Sequence, residues 1–317
     1  MEIYPYKFEP IYKEKIWGGR SLERLFARAL PEGKRIGESW ELADLAEGTS
    51  VLSNGPSAGA TLTDMTAGLG SDLLGAAGAL ENGRFPLLLK LLDANDRLSL
   101  QVHPDAAAVE QIGPEAALKT ECWYVVESRG GAIYKGLAPG VTREQFRSAI
   151  ESDAAEGVVR RIECAEGDFH YLPAGTVHAL GAGLLVAEVQ TPSDTTYRVT
   201  DWGRGREIHV ERSMQCIHFE VAGDGAPGAG GQTLLVTEFF TVSRRQGPGG
   251  QTVELPEGRC AALMMLAGRA EVRHAGAADP AVPLAAGDTV LLPAALAGPQ
   301  LAAREECSWL EVLLSEE

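Results

Sequence analysis

Between positions 98 and 104 the chain reads Leu-Ser-Leu-Gln-Val-His-Pro, apolar and polar residues in strict alternation. Successive side chains of a strand point to opposite faces, so Leu98, Leu100 and Val102 share one face while Ser99, Gln101 and His103 share the other. The same period returns at Lys119-Thr-Glu-Cys-Trp-Tyr-Val-Val126, where Lys119, Glu121, Trp123 and Val125 fall together, and over 184–190, where Glu188 and Gln190 do. Residues 85–92 form an apolar run interrupted only by Lys90 and closed by Asp93, and Asn95-Asp96 after them is a turn signal. The pattern therefore predicts a hairpin that sets Lys90 and His103 on successive strands. Upstream, Tyr4, Tyr6, Phe8, Ile11, Ile16 and Trp17 predict one or two strands before Gly18-Gly19, and 37–42 a strand with outward, exposed Glu38 and Glu41.

Helices are short and few in this reading. Apolar residues at three- and four-residue spacing after Ser21 predict a helix over 21–30, stopped by Pro31. Asp105 caps a helix over 106–112, and Thr142 opens one over 143–150. The Gly/Ala/Ser-rich run 53–83 carries hints of short helices and no assigned chemistry.

Composition narrows the class. A chain of 317 residues with 45% hydrophobic content is long enough for two cores. A net charge of -16 excludes a nucleic-acid partner, since no basic field collects phosphates. No apolar run approaches a membrane span and the first residues lack the order of a signal peptide, so a cytoplasmic protein without a membrane partner is expected. The five cysteines are scattered without a C-x-x-C pair, which predicts reduced, buried thiols.

Candidate chemistry lies where polar strand faces coincide. Gln101 and His103 offer an amide oxygen and an imidazole, and Glu121 a carboxylate. The stretch Gly167-Asp-Phe-His-Tyr-Leu-Pro173-Ala-Gly175-Thr-Val-His178 delivers a second imidazole just past a Pro-Gly turn. Two imidazoles, a carboxylate and an amide suit Zn2+, with Mn2+, Fe2+, Co2+ or Ni2+ compatible by ligand type. Lys90 and Glu188 sit in otherwise apolar runs, where a charge is costly unless paired or used. Thr191-Pro-Ser-Asp194 makes a turn, after which Tyr197-Arg198 resumes, with an Arg198 to Asp194 ion pair as one option. His170, His209, His218 and His274 receive no role and no paired donor.

The spacing G-x5-P-x-G-x2-H is that of the second cupin motif, and Gly287-Asp-Thr-Val-Leu-Leu-Pro293-Ala repeats its opening 120 residues later, with Gly298 where His178 would stand. An all-β bicupin follows: two jelly-roll barrels with a few short helices. The expected division is 1–222, a catalytic cupin domain with N-terminal strands and short helical segments, and 223–317, a degenerate barrel without metal ligands. Residues 223–231, rich in Gly, Ala and Pro, read as the linker.

In order, Gln-Val-His-Pro-Asp, Lys-Thr-Glu-Cys-Trp-Tyr, Pro-Ala-Gly-Thr-Val-His and Ser193-Asp-Thr-Thr-Tyr-Arg198 resemble the type I mannose-6-phosphate isomerases, in their short bacterial form, from about Tyr6 to Glu220. The resemblance implies one zinc per chain held by Gln101, His103, Glu121 and His178, and an aldose-ketose isomerisation of mannose 6-phosphate and fructose 6-phosphate through an enediol. It places Glu188 and Arg198 in the active site. Glu188 and Lys119 are both candidates for proton transfer, and Lys90, Lys119 and Arg198 for binding the sugar phosphate. The expected protein is a monomer or homodimer. A non-catalytic sugar-phosphate sensor and a metal-dependent cupin oxygenase are the alternatives on the same barrel.

Overall fold

The computed structural model describes residues 1–219, 232–275 and 281–316. The stretch read as a linker, and with it the 222/223 boundary, lies outside the described residues. Strands dominate, and they form two barrels, each of two antiparallel sheets face to face. In the first, a six-stranded sheet runs Phe169–Leu172, Glu121–Ser128, Leu184–Gln190, Leu88–Ala94, Ile11–Gly19, Ile36–Leu42. Its partner is five-stranded: Val159–Glu163, Ala132–Leu137, His178–Leu180, Leu100–Val102, Tyr197–Thr200. The second barrel pairs a six-stranded sheet, which contains Ala261–Ala267 and Cys307–Leu314, with a four-stranded one.

Period-two patterning explains how these layers stack. On the six-stranded sheet of the first barrel, Leu92, Trp123, Val125 and Val186 face inward and meet Ile133 and Leu180 of the five-stranded sheet in one core. Their neighbours Leu89, Leu91, Tyr124, Ala187 and Val189 face outward, and they are buried too. They share a second core with Phe240, Val242, Ala262, Met264, Leu310 and Val312 of the second barrel. Two buried faces account for near-continuous apolar runs such as Leu88–Ala94. The outward face of the five-stranded sheet, with Leu100, Val102 and Ala179, is covered by helices that contribute Ala108, Ile112, Phe146, Ile150 and Met214. Inside the second barrel, Leu263, Met265, Val290, Leu292 and Trp309 close a core of their own.

Three expectations change. Leu88–Ala94 and Leu100–Val102 are not a hairpin but belong to opposite sheets. After Ala94 the turn bonds back to Trp17, whose carbonyl accepts from Asn95 and Asp96, and Leu98 N–H then donates to Leu180 across the barrel. Lys90 and His103 consequently face each other's sheets across the interior. The N-terminal strand Tyr6–Lys7, grouped by sequence with the first barrel, ladders onto Val290 and Leu291 of the second. The helix expected over 21–30 is Ser21–Phe26, ended by Ala27 in the left-handed region at φ 51. By contrast Ala106–Ile112 is capped by the Asp105 carboxylate on Ala108 N–H at 2.7 Å, and Arg143–Glu151 by a Thr142/Gln145 capping box.

Deleting residues 231–317 is expected to give an insoluble or aggregated protein. The deletion uncovers Leu89, Leu91, Tyr124, Ala187 and Val189 at once and strands Tyr6–Lys7 without a partner. A fully exposed side chain of this size costs about 1.5–3 kcal/mol, and several together exceed the margin of a typical domain. Size-exclusion chromatography checks this; a monodisperse truncated protein would show that the first barrel stands alone.

Candidate functional site

Four strands converge on the mouth of the first barrel. The Cα atoms of His178 and Gln101 are directly opposed in the five-stranded sheet, and those of Glu121 and Leu172 in the facing one. The turn that delivers His178 is fixed to the His103 strand, because Gly175 N–H donates to the His103 carbonyl at 2.9 Å. Gly175 has φ +84, and a Cβ there would meet the His218 ring at 2.7 Å, so the motif's glycine is required both by backbone and by space.

His103, Glu121 and His178 are buried, and their ligand atoms lie within 4.8 Å of one another. Each imidazole is anchored through Nδ1, His103 on the Thr195 carbonyl at 2.9 Å and His178 on the Thr176 carbonyl at 2.8 Å. A carbonyl accepts only, so both Nδ1 atoms carry the proton and both Nε2 atoms present lone pairs to the centre. Those atoms stand 3.4 and 3.1 Å from the two Glu121 oxygens. His103 Nε2 and both Glu121 oxygens have no hydrogen-bond partner. Burial, and after it the Lys119 ammonium, pushes His103 down to about 3, keeping the ring neutral. Two imidazole lone pairs and a carboxylate converging in a buried spot are the surroundings a cation needs, and this donor set fits a divalent ion. The Gln101 amide lies 3.3 Å from His178 Nε2, where a half-turn of its plane presents the oxygen. All four side chains singled out by sequence are therefore brought together.

A cavity of about 270 Å³ opens beside this cluster, with Lys15, Glu38, Lys90, Gln101, Glu188 and Arg198 in its wall. Lys119, Asp194 and Arg206 also line it. Lys119 Nζ is 3.0 Å from Glu121, a placement helped by Lys119 N–H on the Pro104 carbonyl. Burial alone would raise Glu121, but Lys119 and then the two imidazoles hold it well below the usual range. Glu188 takes the Trp123 indole N–H at 2.8 Å and lies 3.2 Å from Lys90. Burial, and next the Glu121 carboxylate, pushes Glu188 up, with Lys90 and Lys119 pulling the other way. Lys90 is itself held charged: burial opposes it, but Glu188 and Glu38 outweigh burial and raise it.

Several expectations are corrected here. Glu38 and Glu41 are buried, not exposed. Glu41 is bound bidentately by Arg28, whereas Glu38 faces the cavity, 2.8 Å from Lys15 and 3.7 Å from Lys90. Burial would raise the Glu38 carboxyl, yet Lys90 and Lys15 hold it at about 2. Arg198 forms no ion pair with Asp194 among the described residues; its Nη1 donates to the Glu207 carbonyl at 2.5 Å and its Nε has no partner. His218 is paired with Asp105 at 2.8 Å, and His209 accepts the Arg198 N–H. Arg206, anchored on buried Asp201, and Lys15 were not picked out by the sequence, because each lies outside any recognisable motif. In the second barrel, Gly298 at φ +53 stands where the repeat would place His178, and no metal-holding group lies there among the described residues.

Two facing-sheet barrels with a buried His/Glu/His group in one mouth define a cupin-type protein that can hold a metal. Residues 6–127 match the family model described as phosphomannose isomerase type I, catalytic domain. The chain is 42% identical over 222 residues to the probable mannose-6-phosphate isomerase GmuF of Bacillus subtilis (strain 168), covering 68% of each chain. It is 40% identical over 227 residues to the mannose-6-phosphate isomerase ManA of the same organism, covering 68% of this chain and 69% of that one. The crystal structure of a mannose 6-phosphate isomerase from Bacillus subtilis superposes with a TM-score of 0.85 at 31% identity, over 97% of this chain and 99% of that one. The chain belongs to the type I phosphomannose isomerase family.

Proposed function

We propose that this protein interconverts mannose 6-phosphate and fructose 6-phosphate, with a zinc ion at Gln101, His103, Glu121 and His178. The observation that carries the reading is Glu188, buried in the cavity wall beside the His/Glu/His group and 3.2 Å from Lys90. Aldose-ketose isomerisation moves one proton between C1 and C2 of the open-chain sugar and one between the two oxygens. Glu188 is the group that takes the carbon-bound proton and returns it one carbon along, because a carboxylate raised by burial is a stronger base than one in water. Lys119, at the edge of the same cluster, is the second candidate for a proton-transfer role. A divalent ion bound in the mouth supplies polarisation of the sugar oxygens and stabilises the charge developing on them. Lys90 keeps Glu188 in place and adds positive charge to a cavity that must accept a dianion from an acidic protein.

The first barrel, roughly residues 1–222, is assigned the chemistry and the second a supporting role. Five free, buried thiols suit a reducing compartment such as the cytoplasm. The direct test is to strip the protein with a chelator, reload it with Zn2+ and follow formation of fructose 6-phosphate from mannose 6-phosphate. Turnover that appears only with metal supports the assignment; a metal-loaded protein that binds the sugar phosphate without converting it would make the cavity a sensor.

Arg198 is assigned to grip the phosphate or the developing enediolate. Its guanidinium is half-buried, lines the cavity and has an unpartnered Nε, so donors remain for a ligand. A guanidinium gives two parallel hydrogen bonds that an ammonium cannot copy. Arg198→Lys is expected to lower kcat/KM roughly 10- to 100-fold, the equivalent of one charge-assisted hydrogen bond, with metal content and Tm little changed. Unaltered kinetics would shift the anion site to Lys90 and Lys119.

A further inference from the structure

We propose that Cys164, Asp168 and His170 form a second metal site, for a borderline-soft divalent cation such as zinc, at the seam between the two sheets of the first barrel. Val159–Glu163 is the edge strand of the five-stranded sheet and Phe169–Leu172 that of the six-stranded sheet. The turn between them carries the chain across the seam, and all three residues lie on it or just past it. Phe169 and Tyr171 pack outward, so His170, between them, turns inward like Leu172. Cys164 reaches the same interior core from the other side of the turn.

Geometry favours a common ligand. One donor atom from each of the three residues lies within 4.8 Å of the others. Cys164 Sγ and His170 Nε2 are 3.5 Å apart. A tetrahedral ion with metal–sulfur and metal–nitrogen bonds of about 2.3 and 2.1 Å places those ligands about 3.6 Å apart. Asp168 uses Oδ2 to accept Ala165 N–H at 2.8 Å, which fixes the carboxylate and leaves its other oxygen as the third donor. Asp168 and His170 are only half-buried, so a fourth position is open to water. Thiolate, imidazole and carboxylate together select zinc-like ions over magnesium or calcium.

The site shares no residue with the mouth. An ion that binds here replaces the Cys164 thiol proton, which leaves to solvent as the metal–sulfur bond forms. The site adds a second ion to the one the sequence expects per chain.

Cobalt distinguishes the sites, because only this one contains sulfur. Full-length protein stripped by chelator and titrated with Co2+ should develop a thiolate-to-cobalt charge-transfer band in the near ultraviolet, reaching its plateau with two cobalt ions bound per chain. The band should vanish in Cys164→Ser, which should keep its isomerase turnover, and persist when His103 and His178 are both alanine. Absence of the band at saturating cobalt, or its survival in Cys164→Ser, overturns the site. Should that variant fail to fold, His170→Ala is read instead: half-saturation must move to at least about tenfold higher cobalt, since even outer partners of a ligand are worth 10- to 100-fold. An unchanged titration overturns the site equally.

Discussion

Replacing both His103 and His178 by alanine is expected to leave a folded protein that no longer holds a divalent ion in the mouth and no longer turns over mannose 6-phosphate. The two imidazoles supply the neutral nitrogen donors, and each is pre-oriented by its Nδ1 bond to a backbone carbonyl. Loss of a single outer partner of a metal ligand costs 10- to 100-fold in affinity, so removal of two direct ligands costs far more. Folding is less exposed to the change. Glu121 keeps Lys119 at 3.0 Å, and the neighbouring walls are built from Trp123, Leu180 and Leu172, which are untouched. The experiment is elemental analysis after gel filtration, with circular dichroism for the fold, in a Cys164→Ser background so that the Cys164 cluster does not contribute an ion. An ion retained at the level of the parent protein would remove these histidines from the metal site.

Much of this centre was legible in the chain because motif spacing and strand period say the same thing. G-x5-P-x-G-x2-H specifies a turn and a histidine, and Leu-Gln-Val-His fixes which side chains share a face. What the sequence did not carry was which sheet each strand joins. Asn95-Asp96 looks like a hairpin turn, yet it bonds to Trp17 and sends the next strand across the barrel. Local turn chemistry is silent about a partner nearly eighty residues away. The same holds for Tyr6–Lys7, two residues whose ladder partners lie near position 290. Glu38 was misjudged for a related reason. A carboxylate in a short strand reads as exposed until Lys15 and Lys90, from two other strands, are seen to hold it. Arg206 enters the cavity only because Asp201 anchors its guanidinium, a contact that sequence spacing does not announce. Charged pairs formed across strands set the cavity's electrostatics, and they appear only once the barrel is closed.

Glu188→Gln should lower isomerase turnover by roughly 10²-fold or more, the scale of a lost general acid or base, while leaving metal content intact. The substitution is nearly isosteric and leaves untouched the four side chains assigned to the ion. Its amide oxygen can still accept the Trp123 indole N–H, so the side chain keeps its place. What it loses is basicity and half of the charge around Lys90. That second loss has a price in stability: breaking a buried pair typically costs 3–5 kcal/mol, but here Glu38, 3.7 Å away, remains as a carboxylate partner. The cost should therefore fall below that range, and a denaturant titration of the variant separates it from the catalytic effect. Lys90 also explains why the variant should not simply shift the chemistry to a neighbour. Glu38 is held at about 2 by Lys90 and Lys15, too weak a base to replace a carboxyl that burial and Glu121 push up. The informative readout is kcat on zinc-loaded protein at saturating mannose 6-phosphate, accompanied by exchange of the sugar's carbon-bound hydrogen with deuterated solvent. Both should fall together if Glu188 handles that proton. Near-normal kcat with normal exchange would move the role to Lys119, whose ammonium lies against the Glu121 carboxylate at the same cavity wall.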